Sequence, residues 1–169
     1  MDCSVGYGNN GCLGGHIYKS YSYIYQNGVH NALDYPYISN ITNTSFQCQT
    51  NFTNPSIFPM LLGYEVIVYP PNLDALQDAL YYQVLSVLVS GSSKVFKNYV
   101  KGIIRYNCGT QTDTAVNLVG SGTQGNTLWW RIRNSWGTDW GEDGYARLYR
   151  GTGVGRGTCG IATYPSYPL

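Results

Sequence analysis

The chain has 169 residues, with 10 Lys and Arg against 9 Asp and Glu and a formal net charge of +1. That length allows one domain with a core of ordinary size, and a balanced charged fraction of 11% leaves no electrostatic footprint for nucleic acid or an anionic membrane. The 17 tyrosines and 21 glycines point to a loop-rich β protein with amphipathic rings over much of its surface.

No apolar run reaches the roughly 18 residues of a membrane span, and Met-Asp-Cys-Ser is not a signal peptide, so as it stands the chain is expected neither to cross a membrane nor to direct its own export. The cysteines are Cys3, Cys12, Cys48, Cys108 and Cys159. An odd count in a disulfide framework means a missing partner or a thiol outside the bridges. Three N-glycosylation sequons, at Asn40, Asn43 and Asn51, join the cysteines in favouring a secretory, lysosomal or extracellular setting, whereas a chain with every cysteine reduced would belong to a cytosolic assembly.

In chain order, residues 2–15 read as turns. Gly6-Tyr-Gly-Asn-Asn-Gly11 fits a dinucleotide-binding glycine pattern, as does Gly120-Ser-Gly-Thr-Gln-Gly125, but the first follows no strand and the second opens no helix, which argues against that role. From His16 to Gln26 the residues Ile17, Tyr21, Ile24 and Tyr25 recur at helical spacing, and Asn27-Gly28 is a helix stop. Residues 39–56 read as an Asn/Thr-rich surface loop. Gly63–Tyr69 is strand-like, Asn72 caps a short helix carrying Leu73, Leu76 and Leu80, and Val84–Val89 is an apolar strand. Further strands are expected near 114–120, 127–134 and 144–150, joined by Gly-rich hairpin turns.

The last of these regions holds the densest pattern in the chain: Arg133-Asn-Ser-Trp-Gly-Thr-Asp-Trp-Gly-Glu-Asp-Gly-Tyr-Ala-Arg-Leu-Tyr-Arg150. An Asn beside a Trp shield suits the orientation of an imidazole away from water, the role a third residue plays behind a Cys-His pair. This segment closely resembles the Asn-Ser-Trp-Gly block of the papain-like cysteine peptidases. The resemblance extends to Asp2-Cys-Ser with Gly11-Cys-Leu-Gly-Gly15, to Tyr35-Pro-Tyr37, and to the closing Cys159-Gly-Ile-Ala-Thr-Tyr-Pro-Ser-Tyr-Pro168, so it covers essentially the whole chain.

The resemblance implies an α+β fold: a C-terminal antiparallel β-barrel subdomain over 61–169, and over 1–60 the remnant of a helical subdomain without its nucleophile-bearing helix. It implies disulfides Cys3–Cys48 and Cys108–Cys159. Cys12 is then left over, its usual partner lying ahead of the nucleophile. It implies a substrate groove with Gly14 and Gly15 as the backbone-binding strip, His16 at the mouth of the second subsite, Leu88, Ala115 and Tyr164 lining that subsite, and Trp136 beside the orienting Asn134. A Tyr at the base would shorten the subsite. Neither cofactor nor metal is implied.

A thiol peptidase needs a thiolate, an imidazole and donors for the oxyanion. In such families the nucleophile precedes the His and Asn by roughly 130–150 residues, which places it roughly 15–35 residues ahead of Met1. The His is expected in an Asp-His-Ala-Val context, where this chain reads Asp113-Thr-Ala-Val116. Thr114 stands at that position, and a Thr hydroxyl cannot accept and return a proton near neutrality. His16 and His30 do not fall where the family needs its base.

The sequence therefore reads as a catalytically inactive papain-like homologue with a binding or structural role. The Ile17, Tyr21, Ile24 and Tyr25 face would be covered by a protein partner or by the missing N-terminal segment. The rival readings are a thiol endopeptidase whose nucleophile segment is missing from this chain, and a fragment without a role of its own.

Overall fold

The computed structural model describes residues 2–42, 44, 46–49, 61–66 and 70–169. The sequons at Asn43 and Asn51, the side chain of Asn40, and positions 67–69 of the expected strand lie outside the described residues. The chain divides into two compact units, Met1–Glu65 with Pro168–Leu169, and Val66–Tyr167.

The first unit is held together by polar contacts and one disulfide. Two 3-10 turns, Cys3–Tyr7 and Gly11–Leu13, lead into helix α1 (Ile17–Asn27). Its end follows from Gly28, which at φ 70° turns the chain away while its N–H bonds to the carbonyl of Ile24 at 2.7 Å. No residue of α1 is buried, and Tyr21 stacks on Tyr64 with ring centroids 5.9 Å apart. Cys3 is bonded to Cys48. The Asp2 carboxylate accepts from the Tyr35 hydroxyl at 3.0 Å and from the Phe46 N–H at 3.1 Å. The segment from residue 39 is not loop throughout. It opens with a helical turn, α2 (Ser39–Thr42), in which the Ile38 carbonyl takes the N–H groups of Ile41 and Thr42.

The second unit contains the buried apolar core, which runs from Leu73 to Ala162. Helix α3 (Leu73–Tyr82) starts where Asn72 caps it, the side-chain oxygen accepting from the N–H groups of Asp74 and Ala75. It buries Leu73 and Leu76, with Leu80 packed beside them. After the short strand β1 (Tyr64–Val66) at the boundary of the units come β2 (Leu85–Val89), β3 (Ile103–Ile104), β4 (Thr114–Gln124), β5 (Thr127–Arg133), β6 (Tyr145–Tyr149) and β7 (Ser166–Pro168). Neighbours in the sheet run β7-β2-β4-β5-β6-β3. All these pairs are antiparallel except β3 with β6. Alternation sends Leu85, Val87 and Val89 of β2, Trp130 and Ile132 of β5, and Ala146 and Leu148 of β6 inward. The bond Cys108–Cys159 closes a 51-residue separation within this unit.

The segment 133–150 is tied down at both ends. Asn134 donates its N–H to the Gly144 carbonyl at 2.9 Å, and Gly144 donates to Trp140 at 2.8 Å. Trp140 is buried, stacked near Phe96 and Tyr99, and its indole N–H bonds to the Phe96 carbonyl at 3.2 Å. Gly141, at φ 64°, could carry no side chain, because a Cβ there would strike the Tyr145 carbonyl. Glu142 then binds Arg147 through the Nε and Nη2 donors of one guanidinium edge and accepts the Gly102 N–H at 2.9 Å. Those hydrogen bonds from Arg147 hold the Glu142 carboxyl below its ordinary range, against the opposing effect of partial burial.

Replacing Glu142 by Gln is expected to cost about 1.5–3 kcal/mol in urea unfolding at neutral pH, the range for a hydrogen bond to a charged group. A depressed carboxylate adds stability that is fully present above its unfolded pKa of about 4.3 and is lost as pH falls through the lower folded value. The acid limb of stability against pH should therefore be shallower in Glu142→Gln than in the wild type.

Candidate functional site

In the second unit, pairing of Asn117 with Arg133 brings the start of β4 and the end of β5 to the same rim of the sheet. Thr114 opens β4 and Asn134 follows β5, so the two sequence-predicted positions share that rim.

The Thr114 hydroxyl donates to the Asp113 carboxylate at 2.9 Å. Asp113 also accepts the N–H of Gly91 at 2.7 Å and that of Ser92 at 3.2 Å. Partial burial pushes the Asp113 carboxyl up, but the hydrogen bonds from Ser92, Thr114 and Gly91 outweigh it and the net direction is down. Gly91 lies so close beneath Thr114 that a Cβ would occupy the space of the Thr side chain. The hydroxyl is thus spent on a local turn, and nothing at this position can exchange a proton near neutrality.

Asn134 is 8% exposed. Its side-chain oxygen accepts the N–H of Ser135 at 2.8 Å, while its amide nitrogen is buried with no hydrogen-bond partner among the described residues. A buried donor without an acceptor costs free energy. Beside it Trp136, 42% exposed, packs edge-on against Phe96 at 5.6 Å and Trp140 at 5.5 Å. Both histidines, His16 and His30, belong to the first unit, and the two cysteines of the second unit are both consumed by its disulfide.

Leu88 and Ala115 are direct cross-strand partners on β2 and β4. Tyr164, 60% exposed, lines a separate polar depression of about 460 Å³ with Asp113, Thr110, Thr112 and Arg156.

In the first unit Gly14, Gly15 and His16 border a 200 Å³ hollow with Ser4, Asn9 and Ser20. Its organiser is Asn9, which sequence reasoning passed over. Buried at 6% exposure, Asn9 donates to the hydroxyls of Ser4 and Ser20, both at 3.1 Å, and accepts the His16 N–H at 2.8 Å. Gly15 must lack a side chain because Asn9 fills that space. The signal was an Asn inside a run of glycines, which a turn reading absorbs. His16 is exposed, its ring 5.4 Å from that of Tyr18. Cys12 is exposed and takes no part in either disulfide. No three His, Cys, Asp or Glu side chains gather as metal ligands among the described residues.

Residues 1–169 match the family model described as papain family cysteine protease. The chain belongs to the papain family. The cysteine proteinase COT44 of Brassica napus is 38% identical over 172 residues, covering all of this chain and 50% of the relative. Germination-specific cysteine protease 1 of Arabidopsis thaliana is 36% identical, covering all of this chain and 44% of the relative. Among solved structures, the bromelain protease from Ananas comosus in complex with the E64 inhibitor superposes with a TM-score of 0.85 at 34% identity, covering 99% of this chain and 74% of that one. Digestive procathepsin L 3 of Tenebrio molitor gives 0.86 at 32%, covering 99% and 53%. The fold is papain-like, and the chain spans half or less of the length of these curated relatives. Both disulfides implied by the family pattern are formed.

Because the Asn134 side chain makes one local bond and leaves one donor unpaired, Asn134→Ala should lower unfolding free energy by less than about 1 kcal/mol. Trp140→Ala, which empties a core position of the same segment, should cost about 3–5 kcal/mol. Urea titrations of the two variants measure both.

Proposed function

We propose that this chain is a catalytically silent papain-family protein that binds polypeptide without cleaving it. The reading rests on one observation above others: the unit that holds Asn134 contains no histidine, and Thr114 stands at the rim with its hydroxyl committed to Asp113. A thiol peptidase needs an imidazole to hold and return the proton of its nucleophile, and neither a Thr hydroxyl nor a carboxamide does so. In this reading Asn134 remains as an orienter, its amide nitrogen buried and without a partner among the described residues. Following the family pattern, Gly14 and Gly15 would bind a peptide backbone, with His16 at the mouth of the side-chain subsite. Leu88, Ala115 and Tyr164 would take a short side chain. Two disulfides fit an oxidising compartment, and a secretory or lysosomal setting is proposed on that ground.

A thiol endopeptidase is the second reading. What favours it is the match to cysteine proteases along the whole chain, together with a span of only half or less of those relatives' length. Purified protein should neither hydrolyse peptide substrates nor be labelled by thiol-directed epoxides, and Thr114→His alone should not create activity. Labelling of a cysteine that a peptide substrate blocks would establish the second reading and reject the first.

The proposal extends to a protein partner on α1. Ile17, Tyr21 and Ile24 are only partly buried, Tyr21 against Tyr64, and Tyr25 is 46% exposed, so among the described residues of its own unit the apolar face of this helix is only partly covered. Burying four such side chains would contribute several kcal/mol at roughly 1.5–3 kcal/mol each. Light scattering of the native protein should give a mass well above the 18.7 kDa of the single chain, and a soluble, cooperatively unfolding monomer would contradict it.

A further inference from the structure

The outward face of the β5–β6 ladder carries arginine where a sheet stabilised only for its own sake would alternate charge signs. Arg131 and Arg147 are direct cross-strand partners. Like charges placed directly opposite are unfavourable. In the flanking rows Arg133 faces Tyr145, and Trp129 faces Tyr149. Arg105, beyond the end of β3, lies over the Tyr149 ring at 5.6 Å. Arg131 lies over the Tyr145 ring at 4.4 Å, and Arg147 over the Trp129 ring at 5.9 Å. Trp129 itself lies flat across Gly122, whose missing side chain makes room for the indole. Three guanidinium groups, those of Arg105, Arg131 and Arg147, thus lie over ring faces, with Arg133 in the next row.

Glu142 is bound to Arg147, and Asp143 lines the same depression as Arg133. Among the described residues neither Arg105, Arg131 nor Arg133 has a carboxylate within ion-pair distance, and all three are exposed. Stacking on a ring leaves the edges of a guanidinium open for paired N–H donation to a carboxylate.

We infer that this sheet face is a docking surface for an acidic segment of a polypeptide partner, with Arg131 and Arg133 taking Asp or Glu carboxylates bidentately. The proposal concerns the outward face of the β5–β6 ladder, which adjoins the papain-like site where Arg133 and Asn134 line one depression, and it holds whether or not the chain is catalytically silent. A net charge of +1 gives little long-range attraction for nucleic acid or an anionic bilayer, so recognition here is short-range and needs few, well-placed carboxylates.

The test is fluorescence anisotropy of a Gly-flanked hexaglutamate peptide titrated with the full chain at low salt. Arg131→Gln with Arg133→Gln should weaken binding by at least about tenfold, and the double Lys replacement by several-fold, since an ammonium keeps the charge but loses the fork. Lys94→Gln with Lys97→Gln, which change charge on a helix in the same unit, should leave binding within about twofold of wild type. Peptide-induced protection from hydrogen exchange in residues 129–133 and 145–149 of the wild type reads the same site without any variant. Absence of peptide binding, equal loss in the Lys control, no protection in those strands, or tighter binding of a heparin-derived oligosaccharide or an oligonucleotide would each overturn the proposal.

Discussion

The interaction on which the second unit depends is the clamp of Glu142 on Arg147 and the Gly102 N–H, set beside a buried Trp140. The ion pair alone would count for little at a surface. It gains from geometry: the carboxylate meets the Nε and Nη2 donors of one guanidinium edge side by side, and it also accepts from a backbone N–H near β3, far away in sequence. The chain between residues 134 and 144 is thereby folded back so that Asn134 and Gly144 meet. Tyr99 closes the same corner, its hydroxyl donating to the Gly102 carbonyl at 2.6 Å, with burial raising its pKa. Asn134 joins this corner through its N–H bond to the Gly144 carbonyl.

That arrangement accounts for the 133–150 segment by itself. Trp140, Gly141, Gly144, Glu142 and Arg147 answer to packing, positive φ and ion pairing, none of which requires proton transfer. Asn134 is the exception. Its backbone belongs to the clamp, but its amide nitrogen is buried and has no partner among the described residues.

Much of this was legible in the sequence because the signals were local. The Asn72 cap, the Asn27-Gly28 stop and the apolar strand at Val84–Val89 each depend on a few adjacent residues. The paired cysteines were legible through the family resemblance instead. What was hidden depends on distant partners. β3 is two residues long and exists only through its parallel pairing with β6. β4 continues through Gly120-Ser-Gly122 to Gln124, where a turn reading would end it, because a bulge after Leu118 and the indole of Trp129 over Gly122 keep the ladder together. Asn9 organises the Gly14-Gly15-His16 strip through contacts that spacing does not reveal. The net charge of +1 likewise concealed an arginine-rich face, since a sum over residues carries no direction.

The central claim is that the 133–150 segment is a structural clamp independent of any acid–base chemistry at the rim. Native-state hydrogen exchange tests it most directly. The amides of Gly102, Asn134, Gly144 and Arg147 donate the hydrogen bonds that fold this segment back or close the corner at Tyr99. They should exchange only through global unfolding, with the same free energy as the core amides of β5. Exchange of these amides through a local opening several kcal/mol cheaper than global unfolding would contradict the account.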